Sequence, residues 1–188
     1  FHFSFVAMHV GEILMLLAVA AILAASLVAI FQDNVKRMLA YSSVAQIGYI
    51  ILGISLASAA GVSAGMLHLF NHALIKCALF LARGCIYLRL GSVEIHNMHG
   101  LARQMPWTMA AFGAGGLSLI GVPLTAGFIS KWYLVSAALT AGYWPLAVLV
   151  LVSSLLALIY IWRVVEAAYF HVPGADMHRV SEAPVSML

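Results

Sequence analysis

The sequence predicts an all-α membrane protein with five transmembrane helices, the fourth broken at Gly121 and Pro123. Three observations predict it. Of the 188 residues, 64% are hydrophobic and 8% charged, whereas a soluble domain covers its surface with about 25% charged residues. Mean hydropathy is +1.06, and the apolar residues gather in five runs at or above the length, about 20 residues, that crosses the hydrocarbon core. None of these runs alternates apolar and polar positions as barrel strands do, and helices and closed barrels are the structures that satisfy backbone groups in lipid. The same composition argues against a soluble enzyme, and a net charge of +3 is too small to indicate a nucleic-acid partner.

The first run, 11–31, is rich in Ala and Leu and carries no charge after Glu12. The second covers 39–57 and the third 62–88. The fourth, 107–139, is too long for one straight crossing. Pro123 cannot donate to a helix ladder and clashes with the turn before it. With Gly121 and Gly127 on either side, we expect two half-helices joined by an unwound segment near 122–126. The fifth run covers 145–170. Residues 1–170 thus form a five-helix transmembrane unit, and 171–188 a cytoplasmic tail or a linker to a further helix.

Loop charges set the orientation. Lys36 and Arg37, then Arg89 and Arg103, then Arg179 follow the first, third and fifth runs, while 58–61 and 140–144 carry no charge. The positive-inside rule places the basic loops in the cytoplasm and the N-terminus outside. The protein is then multi-pass and integral to the inner (cytoplasmic) membrane. Trp107, Tyr143, Trp144 and Tyr169 fall at run ends, where interfacial anchors belong. Residues 92–105 suit a short interfacial helix. The sequence opens FHFSFVAMHV, without an initiator Met or a basic n-region, and we expect it to be an internal piece of a longer polypeptide.

Ionisable groups at the bilayer centre cost at least about 2.5–3.5 kcal/mol each and mark function. In the third run, His68, His72 and Lys76 recur every four residues and lie within about 80° of one another on a helix, and Arg83 returns to that face. Lys76 is too deep to snorkel easily. Three such groups in register point to an ion or proton path, because histidine exchanges protons near neutral pH. The alternative is a set of satisfied interhelical hydrogen bonds. Lys131 follows the break in the fourth run, and discontinuous helices mark ion sites in transporters. A proline kink with a lysine reaching the interface is the alternative there.

In the second run Ser42, Gln46, Tyr49 and Gly53 share a face. Close helix packing and a water-holding Gln46 account for it equally well. Arg163 and Glu166 are one turn apart and read as a local salt bridge; Ser153 and Ser154 read as packing residues. Cys77 and Cys85 read as buried, reduced thiols that face different ways. Glu94, His96 and His99 are too few for a metal site, as no further ligand pair is spaced to join them. No metal is expected, and no cofactor: nothing resembles a site for NADH, flavin or haem, and two membrane cysteines cannot hold an iron–sulfur cluster.

Three segments carry a family resemblance: DNVKRMLAYSSVAQIGYIILG (33–53), HLFNHALIKCALFLARG (68–84) and LSLIGVPLTAGFISKWYLV (117–135). Together they resemble the proton-conducting antiporter-type membrane subunits of respiratory complex I, Mrp-type cation/proton antiporters and membrane-bound hydrogenases. The resemblance runs through nearly the whole chain and implies one of the family's two inverted five-helix repeats, the second. It implies that Lys76 is the mid-membrane proton relay, with His68 and His72 as its exchanging neighbours. Lys131 then matches the charged residue of the broken helix, a glutamate in some members, at the outer exit branch. The first repeat has no counterpart here, so the chain is expected to be a fragment or to work with other membrane subunits. The implied cargo is protons, with Na+ the other candidate. The implied role is proton translocation in a redox-driven complex of the NADH:quinone oxidoreductase kind. A subunit of an Mrp-type antiporter without a redox role, and a purely structural membrane subunit, are the alternatives.

Overall fold

The computed structural model describes residues 9–172 and 180–184, and among these the fold is helical throughout. Six helices follow in order: α1 (Val10–Ile30), α2 (Val35–Ser55), α3 (Ala59–Leu90), α4 (Pro106–Ile120), α5 (Ala126–Thr140) and α6 (Trp144–Phe170). Two 3-10 turns, Ile95–Met98 and Leu101–Arg103, lie between α3 and α4. Helices α1, α2 and α6 are long and apolar enough to cross a membrane. The 32-residue α3 is longer than any of them, but His68, Asn71, His72 and Lys76 interrupt its apolar character. Large apolar side chains such as Leu16, Phe70 and Leu155 point outward, as lipid-facing residues do.

Helix boundaries follow local chemistry. Helix α2 begins earlier than its apolar run because the Asn34 side chain accepts from the Lys36 and Arg37 backbone N–H groups, satisfying donors that a helix start leaves open. Ser58 caps α3 in the same way through Gly61, and Gly91 ends it in the left-handed conformation at φ 69°. The expected interfacial helix at 92–105 is instead the pair of 3-10 turns. Their Met98 and Leu101 are fully buried, as is Met105 just beyond them. This segment is pinned to the α1–α2 turn: Val35 N–H donates to Val93 O, Ile95 N–H to Asp33 O, and the Asn34 amide to Glu94 at 2.7 Å.

The long fourth apolar stretch folds as two 15-residue helices, α4 and α5, with 121–125 between them. Gly121 terminates α4 at φ 89°, its N–H donating to Leu117 O. Thr125 starts α5 by accepting from Phe128 N–H and donates its own hydroxyl to Val122 O at 2.7 Å. Gly127 brings the start of α5 against the end of α4, where its N–H meets Ser118 Oγ at 3.2 Å. Glycines also let α2 and α3 touch: a Cβ on Gly53 would lie 2.7 Å from Gly61 O and 2.9 Å from Gly65 Cα, the small-residue contact typical of helices packed in membranes.

The interior holds two apolar clusters. One contains Ala29, Leu39, Leu79, Leu119 and Ala157 and reaches the 3-10 turns. The other contains Ile22, Leu52, Ala64, Leu134 and Val150. Where helices pass from one cluster to the other, polar side chains are buried: Ser26 on α1, Ser42 and Gln46 on α2, His68 and Asn71 on α3, and Ser153 on α6. A polar layer therefore lies between two apolar ones.

Several readings of the sequence change here. Arg163 does not pair with Glu166. It reaches across to α1, donating to Ile30 O and Gln32 O and pairing with Asp33 at 2.7 Å, because three acceptors at the open C-terminus of α1 outweigh one carboxylate on its own helix. Cys85 is buried, but Cys77 is exposed on the outer side of α3. Arg179 lies outside the described residues. Glu182 folds back on the start of α4, accepting from Trp107 N–H at 2.9 Å and from the Thr108 hydroxyl at 2.5 Å. Burial alone would raise its pKa, but the Thr108 hydroxyl and the backbone N–H groups of Ala183, Trp107 and Thr108 together hold it below the usual carboxylate range.

Two expected outcomes test this packing. A Cβ at Gly127 would lie 1.7 Å from Ser118 O, so Gly127→Ala should destabilise the fold by at least about 1–3 kcal/mol. The thermal unfolding midpoint in detergent reads this, with Gly113→Ala, whose Cβ meets open space, as the silent control. The depressed pKa of Glu182 means that its docking contributes stability above its unfolded value and loses it as pH falls through the folded one. Proteolysis of the tail should therefore accelerate on acidification, and a Glu182→Gln variant should lack this pH dependence.

Candidate functional site

The polar layer is where the ionisable groups meet. Lys131, in the second turn of α5, is 5% exposed. Its side chain turns back toward the break. The Nζ donates to Leu119 O at 3.1 Å, to Ile120 O at 2.9 Å and to Ser154 Oγ at 2.9 Å. The two carbonyls belong to the last turn of α4, which the break deprives of intrahelical partners, and they form the negative end of that helix. Gly121 makes the approach possible, since a Cβ there would sit 3.0 Å from Lys131 Cδ. The ammonium also lies 5.2 Å from the Tyr49 ring centroid, within cation–π range.

Lys76 is held by a similar device from another helix. Its Nζ donates to Leu39 O at 2.7 Å and to Ser42 Oγ, both on α2. Ser42 and Ser43 also donate their hydroxyls to Leu39 O, a back-bond typical of serine in helices, so this carbonyl accepts from three side chains at once. Phe80 lies one turn on, its ring centroid 5.9 Å from the ammonium.

Between these two lysines stand the histidines. His68 is 2% exposed, and both ring nitrogens are engaged: Nδ1 with Ser130 Oγ at 2.9 Å and Nε2 with Gln46 Oε1 at 3.0 Å. Since Gln46 Oε1 is an acceptor, Nε2 carries the proton and Nδ1 accepts from Ser130 when the ring is neutral. His72 stacks on His68 at a centroid distance of 6.4 Å, and its Nδ1 is buried without a partner. Asn71, on the same helix, donates to Ala126 O at 2.8 Å and ties α3 to the start of α5.

Of the residues singled out in the sequence, Ser42, Gln46, Tyr49, His68, His72, Lys76 and Lys131 come together in this layer, and Gly121, Pro123 and Gly127 lie at or beside the break that serves it. Arg83 stands apart: its guanidinium lies over the Tyr87 ring, 5.4 Å from the centroid. Ser153 and Ser154 are partners of Tyr49 and Lys131 rather than packing residues. Ser130, Asn71 and Tyr160 also belong to the layer and escape a search for charged groups. For Tyr160 the one sequence signal is position: it lies seven residues from Ser153, on one face of α6.

Residues 1–157 match the family described as NADH:quinone oxidoreductase/Mrp antiporter, transmembrane. Over 190 aligned positions the chain is 43% identical to NADH-quinone oxidoreductase subunit N of Desulforudis audaxviator, covering 94% of this chain and 38% of that protein. Among solved structures, a chain of the membrane-bound sulfane sulfur reductase, an archaeal respiratory membrane complex, superposes with a TM-score of 0.88 at 33% identity, over 94% of this chain and 29% of that one. A chain of the Mrp complex from Dietzia sp. superposes with a TM-score of 0.85 at 34% identity, over 90% and 32% respectively. The chain belongs to this family of antiporter-type membrane subunits, and it is integral to the membrane. It spans just over a third of the length of the subunit N relative.

Lys131 has three acceptors, so removing one does not orphan it. Ser154→Ala should lower stability by about 1 kcal/mol, the net worth of one hydrogen bond. Leu119→Ala, which keeps its backbone carbonyl, should leave the bond to Nζ intact and lose only packing. Thermal unfolding of the two variants, alone and combined with Lys131→Met, checks this: the Ser154 penalty should vanish once the ammonium is gone.

Proposed function

We propose that this chain is the second five-helix repeat of a proton-translocating, antiporter-like membrane subunit, working in a redox-driven respiratory complex of the NADH:quinone oxidoreductase kind. The observation that carries the reading is the seat of Lys131. A buried ammonium held by carbonyls freed at a helix break is a charge site built by interrupting a helix, as in transporters. Protons move among Lys76, His72, His68 and Lys131, with Ser42, Gln46 and Tyr49 as supporting polar groups. Helices α4 and α5 together make one broken crossing, giving five crossings over residues 1–170. The basic loops face the cytoplasm and the N-terminus lies outside, in the inner membrane. The remainder of the subunit and neighbouring membrane subunits complete the pathway, and the redox centres belong to partner chains. Protons are the preferred cargo because each path residue exchanges protons and none offers the oxygen cage that a metal cation requires. An Mrp-type antiporter subunit is the second reading, favoured by the 34% identity to the Dietzia Mrp chain.

The test uses the full-length subunit in its assembled complex, reconstituted in proteoliposomes. Lys76→Ala and Lys131→Ala should each reduce proton transfer at least tenfold while leaving assembly intact. Unchanged pumping in both variants would mean that the lysines are structural. Sodium-dependent dye quenching without an electron donor would favour the antiporter.

A further inference from the structure

We infer that Tyr160 is a proton-path residue whose hydroxyl joins the hydroxyl beside Lys76 to the hydroxyl cluster beside Lys131. The inference rests on the proton path proposed above. Tyr160 is completely buried on α6, and its hydroxyl has no hydrogen-bond partner. A phenylalanine would fill the same space, and burying a hydroxyl without a partner is unfavourable, so packing alone does not account for a tyrosine here. Ser42, on α2, is the neighbouring hydroxyl, beyond the reach of a short hydrogen bond.

Two pairs of residues define a ladder. Ser42 and Tyr49 are seven apart on α2, and Tyr160 and Ser153 are seven apart on α6, so each pair lies on one helical face two turns apart. The helices meet with Ser42 near Tyr160 and with Tyr49 OH bonded to Ser153 Oγ. The first rung includes Lys76, which donates to Ser42 Oγ. The second includes Lys131, which donates to Ser154 beside Ser153. The rungs are about 10 Å apart along the helices. Among the described residues, Tyr160 brings to this gap a buried hydroxyl that makes no short hydrogen bond.

A proton moves along this ladder by exchange. Lys76 releases a proton to the Ser42 oxygen as Ser42 passes its own toward Tyr160. Tyr160 accepts on a lone pair and gives up its O–H proton toward the Tyr49–Ser153 pair, with an ordered water at its hydroxyl closing the remaining distance. Tyr49 passes a proton on to the Ser154 oxygen as Ser154 gives its own to the neutral Lys131 amine. Each hydroxyl breaks one O–H bond and forms another, Lys76 loses one proton, Lys131 gains one, and no electron is transferred.

The experiment uses the assembled complex in proteoliposomes, with Lys76→Ala and Lys131→Ala alongside. Tyr160→Phe should lower proton transfer at least tenfold with the complex intact. Wild-type transfer in Tyr160→Phe, together with loss in both lysine variants, overturns the tyrosine link and leaves the lysine path standing. Normal transfer in both lysine variants overturns the path itself, and this inference with it. Should Tyr160→Phe fail to assemble, 3-fluorotyrosine at position 160 keeps the ring and the O–H while making the phenol more acidic. A shifted pH profile of proton transfer then supports the link, and an unchanged profile overturns it.

Discussion

The contact on which the rest of this structure depends is the Lys131 ammonium against the last carbonyls of α4. In water, the end of a helix is solvated and a lysine side chain extends outward. Buried between helices, neither group has that option, and each would carry a penalty of a few kcal/mol alone. Placed together, they satisfy each other: the break supplies acceptors and the lysine supplies donors. The surrounding sequence serves that meeting. Gly121 turns the chain and leaves room for the lysine stem, Thr125 restarts the helix, and Gly127 lets α5 begin against Ser118 rather than further away.

The same logic extends across the layer. Lys76 takes a carbonyl and a hydroxyl from α2, and His68 is fixed by Gln46 and Ser130 from two different helices. Each bond is interhelical, so the polar groups also set how the helices sit. Apolar clusters flank the layer on both sides along the helices. Excluding water strengthens every electrostatic contact inside. At the edge, Arg163 and Asp33 lock α6 to the α1–α2 turn, and the 3-10 turns close over it.

Much of this is legible in the sequence, for identifiable reasons. Helix positions follow from apolar run length, and the stripe from His68 to Lys76 follows from spacing alone. The interruption of the fourth run follows from Pro123 between two glycines. What is not legible is which neutral partner each charge finds. Spacing places Arg163 beside Glu166, but the open end of α1 is remote in sequence and offers more acceptors. Ser153 and Ser154 resemble many membrane serines until Tyr49 and Lys131 arrive from other helices. Tyr160 looks like one more aromatic in an apolar helix, because its hydroxyl matters only when α2 lies opposite. Glu182 caps α4 from 74 residues away, beyond any local pattern.

No aspartate or glutamate among the described residues is buried. Both buried lysines are therefore held by carbonyls, hydroxyls and ring faces, with no carboxylate to neutralise them. A fixed counter-ion would lock an ammonium in its charged form, since separating a buried ion pair is costly. Neutral acceptors stabilise the charge without fixing it, and a neutral amine can remain in the same seat by accepting from a neighbouring hydroxyl. The balance between the two forms then responds to any charge that appears nearby in a low-dielectric interior.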